Sequence, residues 1–309
     1  MIGTVVLALL PIILLIVLGI ALRSRQFVTD SFWMQAERLA YFILLPALLL
    51  HSLATAPLGE FPYWEIVATL ILATIAVAGL AIAARPLLRI DGPGFTSVFQ
   101  GSVRFNNYVG VTLAATLFGA EGVAYAALCN AAIVPTVNVL CILVFAQHGT
   151  LRPTALSIAR QVIANPLVLA CFAGIALQVL GLQIPSGLEP SLRALGAASL
   201  PLGLLCVGAA LNFSTGQAWL GPVVSSSIAK FVLMPAATLV MGHALGLHGT
   251  GLAVALLFQV MPTASSAYIM ARQLGGDAPL MARITAMQTV LAAIAVPLVL
   301  EGFEAMISP

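Results

Sequence analysis

Charge is what this sequence has least of. Twelve lysines and arginines and ten acidic residues are spread over 309 positions, only 7% of the chain. A soluble domain of this length needs a far more charged surface. The formal net charge is +2, with no basic tail and no block of like charge, so nothing points to a nucleic-acid partner. Catalytic signatures are missing too. There is no G-x-x-x-x-G-K-[ST], no H-E-x-x-H and no G-x-S-x-G, so nucleotide-driven transport, zinc proteolysis and serine hydrolysis have no foothold. The four cysteines, Cys129, Cys141, Cys171 and Cys206, fall in apolar segments without metal-ligand spacing and read as small buried hydrophobes. His51, His148, His243 and His248 are scattered near segment ends, so their spacing suggests no metal. No cofactor is expected.

What is present is apolar. The chain is 61% hydrophobic with a mean hydropathy of +1.11, and its long runs approach the ~20 residues that cross a bilayer as a helix. The ~10-residue alternation of a transmembrane barrel is not seen. The first run lacks the flanks of a cleaved signal peptide and reads as a retained helix. The expectation is an all-α polytopic membrane protein with ten spans, roughly 4–22, 36–54, 64–84, 95–118, 122–146, 155–180, 190–211, 217–242, 250–273 and 279–303. Arg23, Arg25, Arg38, Arg85, Arg89, Arg152, Arg160, Arg272 and Arg283 flank odd-numbered connections, while Arg193 is the exception on the even side. By the positive-inside rule the odd connections are cytoplasmic and both termini extracytoplasmic.

The halves repeat. Pro11 with "GIAL" from Gly19 matches Pro166 with "GIAL" from Gly174, and the same offset of 155 links Pro46 to Pro201 and Trp64 to Trp219. "FQ" at Phe99 answers "FQ" at Phe258, and Tyr108 answers Tyr268 after a small insertion. Five spans per half is an odd number, so residues 148–309 would be inverted relative to residues 1–147. Such inverted repeats are a hallmark of secondary transporters with a central site.

One stretch, "VRFNNYVG" at 103–110, puts an arginine and two asparagines into the fourth span. Its counterpart in the ninth span is "MPTASSAY" at 261–268. Pro262 removes a backbone donor, and asparagine competes for backbone bonds, so both stretches read as helix interruptions that line a cavity. If spans 4 and 9 cross at these breaks, two half-helix N-termini face one point and suit an anion. The carboxylates all fall near span ends or in loops, whereas Arg104 and Lys230 lie deep. Buried cations without acidic partners point to an anionic substrate, and arginine can grip a carboxylate through two bonds. The candidate substrate-binding residues are Arg104, Asn106, Asn107, Pro262, Thr263, Ser265, Ser266 and Lys230. Asn130, Gln259 and Gln288 are candidates for an ion or polar path, and Asn165 with Pro166 for a hinge. The plainer readings stay open: Arg104 bonding freed carbonyls, Lys230 snorkelling, and asparagines and glutamines acting as interhelical links.

"VRFNNYVG", "QVMPTASSAYIMARQLGGD" at 259–277 and "NPLVLACFAGIAL" at 165–177, together with the ten spans, resemble the auxin efflux carrier family over essentially the whole chain. The chain looks like a compact bacterial member in which only "AQHGTLRPT" joins the halves. The resemblance implies a fold related to bile acid–sodium symporters, with a scaffold of spans 1, 2, 6 and 7 facing a transport domain of spans 3–5 and 8–10. It implies crossed, broken helices 4 and 9 with substrate at the crossing. In the plant carriers both broken helices carry a proline there; here the fourth span has none. The resemblance also implies a bacterial inner-membrane location and carboxylates such as malate or malonate. The expectation is an elevator-type secondary transporter of a mono- or dicarboxylate, and not an enzyme. Alternatives are a sodium-coupled symporter of bile-acid-like anions, an intramembrane enzyme or a receptor. Sodium or a proton is a candidate coupling ion, and a homodimer a candidate assembly.

Overall fold

The computed structural model describes residues 2–56, 62–150, 164–211, 220–264 and 266–302, with side chains from Leu7 onward. Every regular element among them is a helix. Besides the short turn Arg85–Leu88 they are α1 (Ile2–Ser24), α2 (Asp30–Thr55), α3 (Tyr63–Ala83), α4 (Gly92–Val103), α5 (Asn107–His148), α6 (Pro166–Val179), α7 (Glu189–Ala210), α8 (Leu220–Ala244), α9 (Gly249–Gln259), α10 (Ser266–Leu274) and α11 (Ala278–Gly302). A helix satisfies its own backbone polar groups, which is what a chain this apolar needs in hydrocarbon.

Among the described residues seven helical stretches are long and apolar enough to cross a membrane: Leu7–Ser24, Asp30–Thr55, Tyr63–Ala83, Gly92–His148, Glu189–Ala210, Leu220–Ala244 and Ala278–Gly302. Two more, α6 and α9, are apolar but shorter. The chain is therefore a polytopic helical membrane protein. The expected count of ten is not reached by length alone, for identifiable reasons. Expected spans 4 and 5 fall within one stretch of 57 residues, which divides into separate helices at the break after α4 and at Gly119 (φ 60°, ψ −141°), a conformation open to glycine. The ninth span is cut into helices of 11 and 9 residues. The start of the sixth lies outside the described residues.

Among the described residues two helices contain a π turn, Ala40–Leu44 in α2 and Ala229–Leu233 in α8. Each is followed after one residue by a proline, Pro46 or Pro235. A proline ring clashes with the carbonyl four residues back, here Phe42 or Phe231, and supplies no N–H. Widening that turn by one residue relieves both problems.

The second half of α2 lies along α6, α1 lies along α7, and α7 also packs on α2; α3 lies along α8, α9 along α5, and α4 against α8 and α11. Between α1 and α7 the backbones nearly touch: a Cβ on Gly19 would strike the Leu205 carbonyl, and one on Gly208 the Ile16 carbonyl. Small residues allow this approach where lipid provides no hydrophobic drive between helices. Two acidic residues start helices. Asp91 Oδ1 accepts from the Gly94 amide (2.8 Å) and Asp277 Oδ1 from the Leu280 amide (2.9 Å), satisfying N-terminal donors that would otherwise be orphaned.

Candidate functional site at the two helix interruptions

Between α4 and α5, Arg104, Phe105 and Asn106 leave the helical path. Arg104 is extended (φ −75°, ψ 158°) and so is Asn106 (φ −93°, ψ 105°). Asn106 is buried, and its Oδ1 accepts from the amides of Tyr108 (3.1 Å) and Val109 (3.3 Å). The asparagine thus caps α5: it breaks one helix by starting the next. No proline is needed.

Between α9 and α10 the chain passes through buried Met261, Pro262 and Thr263; Ser265 lies outside the described residues. The Thr263 amide donates to Gln288 Oε1 on α11 (3.1 Å). The same carboxamide turns its Nε2 to the Gly101 carbonyl of α4 (2.9 Å). In an unbroken helix that carbonyl would accept from the amide of Phe105, which the first interruption removes. One side chain on a third helix therefore serves backbone groups freed at both breaks. The breaks also touch: the Phe105 and Phe258 ring centres are 5.7 Å apart, and Gly110 leaves room for Phe258 and Met261.

Arg104 reaches across this contact. Its Nη1 donates to Asn138 Oδ1 (3.0 Å) and points at Met270 Sδ (3.5 Å), and its Nη2 donates to Ser266 Oγ (3.2 Å). All three partners are neutral. Among the described residues the ion pairs are Arg23–Asp30 and His51–Glu189, and Arg104 is in neither. A cavity of 30 Å³, about the volume of one water, opens here and is lined by Tyr41, Arg104, Phe105, Asn107, Val134, Val137, Asn138 and Ser266. Asn107 and Ser266 are the first residues of α5 and α10. The Asn106 Nδ2, Asn107 Oδ1, Tyr108 hydroxyl and Thr263 Oγ1 are buried without a hydrogen-bond partner. A larger cleft of 720 Å³ lies between the ends of α1 and α7 and the start of α2. Its arginine, Arg23, is already engaged with Asp30 and the Ala209 carbonyl, so that cleft presents no comparable cation.

The other expected residues fall as follows. Gln259 is buried and held by α3, its Nε2 donating to Thr74 Oγ1 (3.1 Å) and the Leu70 carbonyl (3.4 Å). Asn130 donates to the Ala126 carbonyl of its own helix (2.8 Å). Lys230 is wholly buried in the α8 π turn, with no partner for its Nζ, and is not among the residues lining the small cavity. Asn165 caps α6, accepting from the amides of Leu167 (3.0 Å) and Val168 (3.3 Å), with Pro166 in the first turn.

Tyr41 escaped the sequence reading. It sits in the α2 π turn, and its hydroxyl accepts from Asn165 Nδ2 (3.2 Å). The signal was Pro46 five residues on, since π turns gather at functional sites. The residues that line the cavity therefore come from α2 and the later part of α5 as well as from the two interruptions.

A family model described as "Membrane transport protein" matches residues 4–300. A curated protein of Rhizobium meliloti (strain 1021), named "Putative malonate transporter", is 27% identical over 258 residues, covering 76% of this chain and 75% of that protein. The matched residues span both interruptions and the helices that frame them. The chain belongs to the membrane transport protein family of auxin efflux carriers: it is a membrane transporter and not an enzyme.

Proposed function

We propose that this chain is a secondary transporter of a small carboxylate, with malonate and malate as first candidates, in a bacterial inner membrane. The observation that carries the reading is Arg104: a deep guanidinium bonded to neutral side chains only, beside a cavity lined by the first residues of two half-helices. Helix N-termini carry partial positive charge, and a carboxylate would complete the arginine's bonding with charge-assisted hydrogen bonds. The relative named for malonate supports the same substrate class. The volume of 30 Å³ is too small for a dicarboxylate, so binding requires the walls to part, as alternating access demands. The 5+5 inverted repeat with crossed breaks is part of this reading. So is an elevator motion of α3–α5 and α8–α11 against a scaffold of α1, α2, α6 and α7, with Asn165 and Pro166 as hinge.

The test is uptake of radiolabelled malonate and malate into proteoliposomes. Arg104→Ala should abolish uptake while the protein still purifies as a monodisperse species; full uptake by that variant overturns the assignment. A second reading, sodium coupling, is favoured by the buried unpartnered oxygens Asn107 Oδ1, Gln259 Oε1 and Thr263 Oγ1, since hard oxygen donors suit a small cation. Uptake that persists unchanged without sodium excludes it.

A further inference from the structure

The sequence separates His243 and His248 by four residues of a polar-free turn, "ALGL". The structure brings them together. His243 lies in the last turn of α8, His248 at the start of α9, both are exposed, and their ring centres are 5.7 Å apart with planes inclined at 50°. This is not a stack. We propose that the pair forms a two-histidine site for a divalent transition metal of the class that prefers imidazole nitrogen, such as zinc, nickel or copper.

The geometry fits that class. With a metal–nitrogen bond of about 2.0–2.1 Å, each ring centre lies about 3.2 Å from the metal, so two rings at a tetrahedral angle have centres about 5.2 Å apart. The observed separation needs closing by about half an ångström, which a small side-chain rotation supplies. Imidazole donors select this group of metals over magnesium and calcium.

The backbone is fixed before any metal arrives. The Leu247 amide donates to the Gly242 carbonyl (2.8 Å), the Leu245 amide to the Met241 carbonyl (3.0 Å) and the Gly246 amide to the His243 carbonyl (3.2 Å). Gly246 takes the left-handed φ of 75° that closes this turn, and Leu247 is wholly buried beneath it. Holding the ligands in place lowers the ordering cost of binding. His248 makes no capping bond with its side chain, so its ring nitrogens are not spent on α9. The remaining histidines are occupied elsewhere: His51 faces Glu189 at 3.5 Å, and His148 packs edge-on against Phe95. No group of three metal-binding side chains occurs among the described residues, so the other coordination positions face solvent. Bound metal would clip the end of α8 to the start of α9, the helix that leads into the second interruption.

The experiment is zinc titration of the full-length protein in detergent, with any purification tag removed, followed by calorimetry, and copper electron paramagnetic resonance to count coordinating nitrogens. One equivalent of zinc should bind and raise the unfolding temperature, and copper should show two nitrogens. His243→Ala and His248→Ala should each weaken zinc binding by more than the ~10–100-fold typical of losing a supporting hydrogen bond. His51→Gln should bind as the parent does. Three outcomes overturn the site: no saturable zinc binding, binding that survives in the double variant, or loss in only one of the two single variants. Carboxylate uptake does not enter this readout, so the site can fail while the transport reading stands.

Discussion

The interruption after α4 and the interruption after α9 end helices by different chemistry. The first stops on Asn106, whose carboxamide oxygen caps the helix that follows. The second stops near Pro262, where the Thr263 amide bonds the side chain of Gln288. A cap is local: it needs only the next two or three amides. The second break depends on α11, which arrives later in the chain. Their common element is Gln288, which also takes the Gly101 carbonyl of the first break. The difference teaches that a proline can empty a backbone position without deciding what fills it, whereas an asparagine does both.

The largest effect should come from removing what the breaks share. Gln288→Leu leaves one buried amide and one buried carbonyl unpaired, at roughly 1–3 kcal/mol each. A clear fall in thermal unfolding temperature is expected, and a variant as stable as the parent would separate the two breaks again. Arg104→Ala comes next, with carboxylate affinity falling roughly 10–100-fold, as losing about 1.5–3 kcal/mol of charged hydrogen bonding implies. Equilibrium binding of malonate checks it, with stability shifted less than by Gln288→Leu. Asn106→Ala should cost about 0.5–2 kcal/mol of stability through the lost cap. Asn106→Asp keeps the capping oxygen and should restore stability while weakening anion binding; equal binding by both would assign Asn106 to the fold alone. The smallest effect is expected for Pro262→Ala, because the Gln288 bond to Thr263 remains. A loss of stability larger than that of Asn106→Ala would reverse the contrast between the two breaks.

Much of this was legible in the sequence, and the residues show why. The breaks announced themselves because asparagine, proline and hydroxyl side chains are conspicuous in a chain with 7% charge. Arg104 stood out for the same reason. The role of Gln288 did not: its two partners lie 25 and 187 residues away, and a lone glutamine in an apolar helix signals neither. Tyr41 was hidden because periodicity places it on one face and the π turn turns it to another. The boundary between spans 4 and 5 was hard to place as well, since Gly119 alone kinks the chain there, without the polar loop that marks a boundary. His243 and His248 looked unrelated because spacing along a chain says nothing about a turn that folds back.

The π turn of α2 has one more consequence. A π turn holds one residue more than the α turn it replaces, and each residue of an α-helix advances the chain by about 100°. The turn at Ala40–Leu44 is therefore a phase shift stored in the helix. Everything on its far side, including Leu49 and Leu53 in the core, is rotated relative to the start of the helix by that one extra residue. Deleting a single residue there would return α2 to regular pitch and swing its first half, with Trp33 and Ala36, about a quarter turn out of register with α7. A one-residue change in length at this point would thus act as a rotation, and the side chain facing the small cavity would be exchanged without any substitution at position 41.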